Sequence, residues 1–126
     1  MDENKVIYPE LSYKIVGCIF NVYNALGANH RECLYQKALA KEFDINKIKY
    51  TSQVPCDLIY KDSVIGKYYL DFLIDDKIVL ELKAGPHFKK NDFNQILDYL
   101  KTTHHKLGIL ANFGSETVSF RRILNI

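Results

Sequence analysis

Three charged side chains fall inside two otherwise aliphatic runs. In the stretch DFLIDDKIVLELK, Asp71, Glu81 and Lys83 sit where a buried hairpin should carry none. Burying a charge is costly unless it is partnered, so these groups need either water or one another. Which of them meet depends on strand register. A three-residue loop of Asp75, Asp76 and Lys77 sets Ile74 against Ile78, Phe72 against Leu80 and Leu70 against Leu82, a wholly apolar face. A two-residue loop slips the register and sets Asp71 against a leucine. The longer loop is therefore favoured, and it places Leu73 against Val79, Asp71 against Glu81 and Tyr69 against Lys83 on the other face. Opposed β-carbons lie ~4.5–5.5 Å apart, and like charges at that distance destabilise a sheet.

Two readings of that face stay open. In one it is solvated, with Lys83 diagonal to Asp71 and neutralising part of the repulsion; Tyr69, Leu73 and Val79 would then be exposed as well. In the other, two carboxylates in a partly buried notch form a hard-oxygen site for a divalent cation such as Mg²⁺. A lysine beside such a site can orient a nucleophile and offset charge on a transferring phosphoryl group. That chemistry is phosphodiester hydrolysis.

The elements that must position these groups follow from periodicity. Ile15, Cys18, Ile19, Val22, Tyr23 and Leu26 form the stripe of an amphipathic helix from about Leu11 to Leu26, closed by Gly27. A second helix restarts near His30, with Asn29 as its N-cap and Leu34, Ala38 and Leu39 on its buried side. The period then shifts to two. KYTSQVPCDLIY, VIGKYYLDFLI and KIVLELKA read as three strands of an antiparallel meander, with turns at Lys61-Asp62 and Asp75-Asp76-Lys77. GPHFKKND is a breaker-rich loop. FNQILDYLKTT is a third helix, buried through Phe93, Ile96, Leu97 and Leu100, and KLGILANF and TVSFRRILNI are two closing strands. The order is ααβββαββ, an α/β (α+β) domain with a mixed central β-sheet flanked by helices.

Composition limits the function classes. A chain of 126 residues, 48% of them hydrophobic, suffices for one core, so residues 1–126 read as a single domain. A net charge of +2 is too mild for a general nucleic-acid magnet, and any such contact must rely on a local patch. Cys18, Cys33 and Cys56 are odd in number and form no CxxC pair, which argues against a disulfide framework and a zinc knuckle and for a reducing cytosol. The N-terminal MDENKVIYPE has no signal pattern, and no apolar run approaches the ~18 residues of a membrane span. A cytoplasmic protein without a membrane partner is expected. Arg121 and Arg122 read as surface residues. His104 and His105, being adjacent, point to opposite faces of a strand and do not chelate one ion.

Asp71 followed on the next strand by Glu81-Leu82-Lys83 resembles the PD-(D/E)xK nuclease superfamily, in which an acid precedes an acid-x-lysine triplet on paired strands. LGANHRECLYQKAL looks like the signature of its GxxExxY group, with Glu32 and Tyr35 in place, and NQILDYL looks like the group's Q-x-x-x-Y helix, with Gln95 and Tyr99. The likeness runs from about Leu11 to Phe120. One position departs from it: Asn29 stands where the group has its glycine, and asparagine tolerates the left-handed backbone that such a turn needs.

The resemblance implies a restriction-endonuclease-like core and a Mg²⁺- or Mn²⁺-dependent nuclease acting on nucleic acid, DNA before RNA. It implies that Asp71 and Glu81, helped by Glu32, hold the metal, that Lys83 activates water, and that Gln95 orders the lysine or a phosphate. Tyr99 would pack beneath and contact substrate. Lys89 and Lys90, in the loop after the Glu-x-Lys strand, would grip phosphates at the mouth of the site. Each residue also has an ordinary reading: Glu32 favours a helix N-terminus, Gln95 and Tyr99 share a helix face, and Tyr35 is core. The rival function is a non-catalytic nucleic-acid-binding or interaction module that keeps the fold. A minimal domain of this kind could act as a homodimer or take a protein partner for targeting.

Overall fold

The computed structural model describes residues 7–126; the first six residues of the stretch read for a targeting signal lie outside them. The expected element order is the one found: α1 (Pro9–Leu26), α2 (Glu32–Ile45), β1 (Tyr50–Tyr60), β2 (Ser63–Ile74), β3 (Ile78–Ala84), α3 (Lys90–Thr103), β4 (Leu107–Phe113) and β5 (Val118–Leu124). The strands form one mixed sheet in the order β1-β2-β3-β4-β5, antiparallel except for the parallel pair β3 and β4. The parallel pair requires a crossover, and α3 provides it. Among the described residues no helix is long and apolar enough to cross a membrane.

Helices cover both faces of the sheet. Ile15, Ile19, Leu39 and Phe43 of α1 and α2 pack on Phe72, Ile74, Leu80, Leu82 and Ile109, while Ile96, Tyr99 and Leu100 of α3 pack on Val79, Leu110 and Leu70. β3 and β4 are thereby buried on both sides, which is why they read as continuous apolar runs. An acid within β3 is consequently an acid in the core.

The turn into α2 differs from expectation. Arg31, without a side-chain cap, precedes the helix, and Asn29 instead adopts the left-handed conformation at φ 70°. The turn is latched by Tyr35, whose hydroxyl donates to the Gly27 carbonyl at 2.6 Å and accepts the His30 N–H at 3.4 Å. With that latch in the core, a capping side chain at Asn29 is not required. Arg122 also departs from its surface reading: it is half-buried and donates to Ser12 Oγ at 2.8 Å and the Ile7 carbonyl at 3.0 Å, tying β5 to α1.

α3 packs tightly over Gly108, where an added β-carbon would lie 2.6 Å from Ile96 Cγ2 and 3.4 Å from Leu100 Cδ1. Gly108→Ala should push α3 off β4 and cost about 1–3 kcal/mol in urea unfolding. Gly17→Ala, at an open position on α1, should instead stabilise by about 0.5–1 kcal/mol. Equal effects at the two positions would refute this account of the packing.

Candidate active site

The closed end of the β2–β3 hairpin has the expected register: Ile74 pairs with Ile78, Leu73 with Val79 and Phe72 with Leu80, and the Lys77 N–H closes the turn on the Ile74 carbonyl at 2.9 Å. The ladder ends there. Asp71 and Glu81 are therefore not a paired position, nor are Tyr69 and Lys83; Tyr69 pairs with Pro55 of β1 and is exposed, and Leu70 packs against α3 rather than beside Leu82. On the other side of β2 the β1 ladder passes from Ser52–Phe72 to Val54–Leu70, and the residue skipped opposite Asp71, Gln53, has φ 53°. The regular pairing of β2 is thus interrupted at Asp71 on both sides.

The two carboxylates replace the missing ladder bonds. The Leu82 N–H donates to Asp71 Oδ2 at 2.7 Å, and the Asp71 N–H donates to Glu81 Oε1 at 2.9 Å. Each acid thus accepts a backbone donor from the opposite strand, and such a bond contributes about 1.5–3 kcal/mol where the acceptor is charged. This exchange is how the sheet tolerates two acids side by side.

It does not fully relieve them. Burial pushes the Asp71 carboxyl above its usual range, against the pull of the Leu82 N–H, a hydrogen bond with Glu81 and the Lys83 charge. Glu81, only 7% exposed, is pushed up to about 8 by burial first and by the charge of Asp71 second. Burial thus raises both carboxyls, and the charge of Asp71 adds to the rise at Glu81. They titrate as a pair.

Lys83 Nζ lies 3.9 Å from Glu81 Oε2 and 3.8 Å from Asp92 Oδ1, an ion-paired bridge from β3 to α3. Asp92 is not marked out by its sequence context. It sits in the first turn of α3, where its Oδ2 accepts the Lys89 N–H at 2.9 Å, and an acid at that position reads from sequence only as helix capping. Glu32 opens α2 and is largely exposed. Packing around its carboxyl raises its pKa, Lys83 opposes that, and Asp71 and Asp92 add to it, so Glu32 stands within electrostatic reach of the cluster.

The other expected residues divide. Lys89 and Lys90 are exposed at the start of α3, three and two residues before Asp92. Gln95 lines a groove between α3 and the β1–β2 hairpin, and its backbone carbonyl accepts the Tyr68 hydroxyl at 3.3 Å. Tyr99 is 5% exposed and packs in the α3 core, with its ring stacked on His105 at 6.0 Å. Asn112, directly beside Lys83 in the β3–β4 register, is a second residue missed from sequence. Its Nδ2 donates to the Gly85 carbonyl at 2.8 Å, and its buried Oδ1 has no protein partner. The signal available was an amide inside the apolar run LGILANF.

The donor set bears on a metal. Among the described residues no three His, Cys, Asp or Glu side chains are grouped closely enough to hold an ion by themselves. Mg²⁺ does not need them, since it commonly binds through one or two carboxylates and keeps waters and substrate phosphates as its other ligands. Asp71 and Glu81 fit that requirement: they are adjacent, hard-oxygen, preoriented by backbone N–H groups, and short of positive charge.

A family model described as the PD-(D/E)XK nuclease superfamily matches residues 9–123. The crystal structure of SSO0001 is similar in fold, with a TM-score of 0.59 at 17% sequence identity over 94% of this chain. The match covers 60% of that structure's own chain. No curated protein matches the sequence.

Proposed function

The chain belongs to the PD-(D/E)XK nuclease superfamily, and from that premise we propose that it is a metal-dependent nuclease of the GxxExxY group, acting on DNA in preference to RNA. The observation that carries the reading is the cross-bonded pair: Asp71 and Glu81 each anchored by the other strand's N–H, with the Lys83 ammonium 3.9 Å from Glu81. A purely structural hairpin has no use for two adjacent acids that burial holds above their usual pKa range.

Asp71 and Glu81 would hold Mg²⁺ or Mn²⁺, helped by Glu32 at the start of α2, which is electrostatically coupled to Asp71 and Lys83. A dication held by these carboxylates would supply Lewis-acid polarisation of the scissile phosphate and ease deprotonation of water. Lys83 places a fixed positive charge where the phosphoryl oxygens become more negative, and electrostatic stabilisation aimed at that position is worth most in a site shielded from water. Asp92 holds the Lys83 side chain from the α3 side. Lys89 and Lys90 at the mouth would contact flanking phosphates, and Gln95 would meet the substrate at the groove. The Glu32 and Tyr35 motif and the Gln95 and Tyr99 helix support the subgroup assignment, Tyr35 as the latch of the turn that presents Glu32.

The test is cleavage of plasmid and single-stranded DNA with Mg²⁺ or Mn²⁺, abolished by chelation. A calorimetric arm reports on the metal alone: at 100 times its dissociation constant, Mg²⁺ should stabilise the protein by about 2.7 kcal/mol and raise its Tm. Asp71→Asn, which keeps an oxygen for the Leu82 N–H, should lose that shift while remaining at least as stable without metal. An equal Mg²⁺ shift in both proteins would remove Asp71 from the proposed site.

A further inference from the structure

The groove that Gln95 borders has a volume of about 550 Å³. One wall is the outer face of α3, where Asn91, Asn94, Gln95 and Thr102 align. The other is the β1–β2 hairpin, with Tyr68 and two apolar residues left in solvent, Leu58 at 46% and Ile59 at 62% exposed. Its charged lining is Lys101 against Asp98 and Asp57, and Asp57 is paired with Lys67, so the groove offers phosphates little. Carboxamides carry a donor and an acceptor side by side, the pattern that reads base edges. Apolar and aromatic walls take base faces. Watson–Crick edges are free only in an unpaired strand.

α3 and β2 each carry residues of both the groove and the charged cluster. Asn91 precedes Asp92, whose carboxylate is 3.8 Å from Lys83. Tyr68 lies three residues before Asp71 on β2, a distance of ~10 Å along a strand, which is about three stacked nucleotides at ~3.4 Å each.

We infer that this groove binds the unpaired bases of a single nucleic-acid strand whose backbone continues to Asp71, Glu81 and Lys83. The inference rests on the nuclease reading for its direction, and it gives the substrate class: single strands, or duplex ends that have frayed, ahead of intact duplex.

Binding is measured by fluorescence anisotropy with labelled single-stranded and blunt double-stranded oligonucleotides in EDTA, where nothing is cut. Wild type should bind the single strand more tightly. The double variant Asn94→Ala/Thr102→Ala changes only exposed residues, and circular dichroism confirms its fold. It should lose about 10-fold or more in single-strand affinity, with duplex affinity unchanged. Equal binding of both substrates by wild type, or wild-type single-strand affinity in the double variant, overturns the inference. The nuclease reading is scored separately by adding Mn²⁺: groove-dependent binding without any cleavage supports the groove and refutes the nuclease, whereas cleavage insensitive to both substitutions does the reverse.

Discussion

Lys83→Ala is expected to reduce phosphodiester cleavage by about 100- to 1,000-fold, the usual cost of removing one group aimed at transition-state charge. The loss should fall on kcat rather than KM, because Lys83 lies between Glu81 and Asp92, whereas Lys89 and Lys90 are exposed at the start of α3. Stability should change by no more than about 1 kcal/mol, since both ion pairs are longer than a hydrogen bond and the lysine side chain remains 29% exposed. Lys83→Arg retains the charge but spreads it over a planar fork, and should recover only part of the rate. Single-turnover cleavage of a labelled oligonucleotide separates these outcomes. Cleavage by Lys83→Ala at the wild-type rate would refute the role assigned to this residue.

Glu81 should make the metal-free protein less stable as pH rises. Its carboxyl titrates near 4.5 in an open chain and near 8 in the fold. Between these values the folded state keeps a proton that the unfolded state has released, so stability falls with increasing pH. The contribution is fully present below about pH 4.5 and is lost as pH passes through 8. At about 1.36 kcal/mol per pKa unit the change is on the order of a few kcal/mol, shared with Asp71, whose shift has the same direction. Urea unfolding from pH 5 to pH 9 in EDTA should show this decline, and Glu81→Gln, which can still accept the Asp71 N–H, should flatten it. Mg²⁺ should stabilise most strongly above pH 8, because its binding must displace the proton on Glu81. Wild-type stability that increases across this window would exclude a Glu81 carboxyl raised in the folded state.

Much of this was legible in the chain. The alternation of Phe72, Ile74, Ile78 and Leu80 set the register of the hairpin because one face had to be buried. The stripes of α1 and α3 and the double-sided burial of β3 and β4 gave the element order for the same reason. The Asp71, Glu81 and Lys83 motif also singled out the candidate site, since charges in apolar strands need a cause.

What the chain alone did not disclose depends on contacts remote in sequence. Uniform alternation carries the β2–β3 ladder through Asp71 and Glu81, yet the strands part there, with Gln53 left-handed on the neighbouring strand and side chains filling the gap. Whether a ladder continues is decided by both neighbours of a strand, and no local period records it. Asp92 resembles an ordinary capping acid until α3 crosses the sheet and brings it within 3.8 Å of Lys83. Asn112 meets Lys83 only because β3 and β4 pair in parallel. The sequence by itself determined which residues carry the charge and which faces are buried, because hydrophobic periodicity is local. The tertiary structure decided which carboxyls are buried together and which hold the lysine, because electrostatic coupling depends on distances and burial that only packing creates.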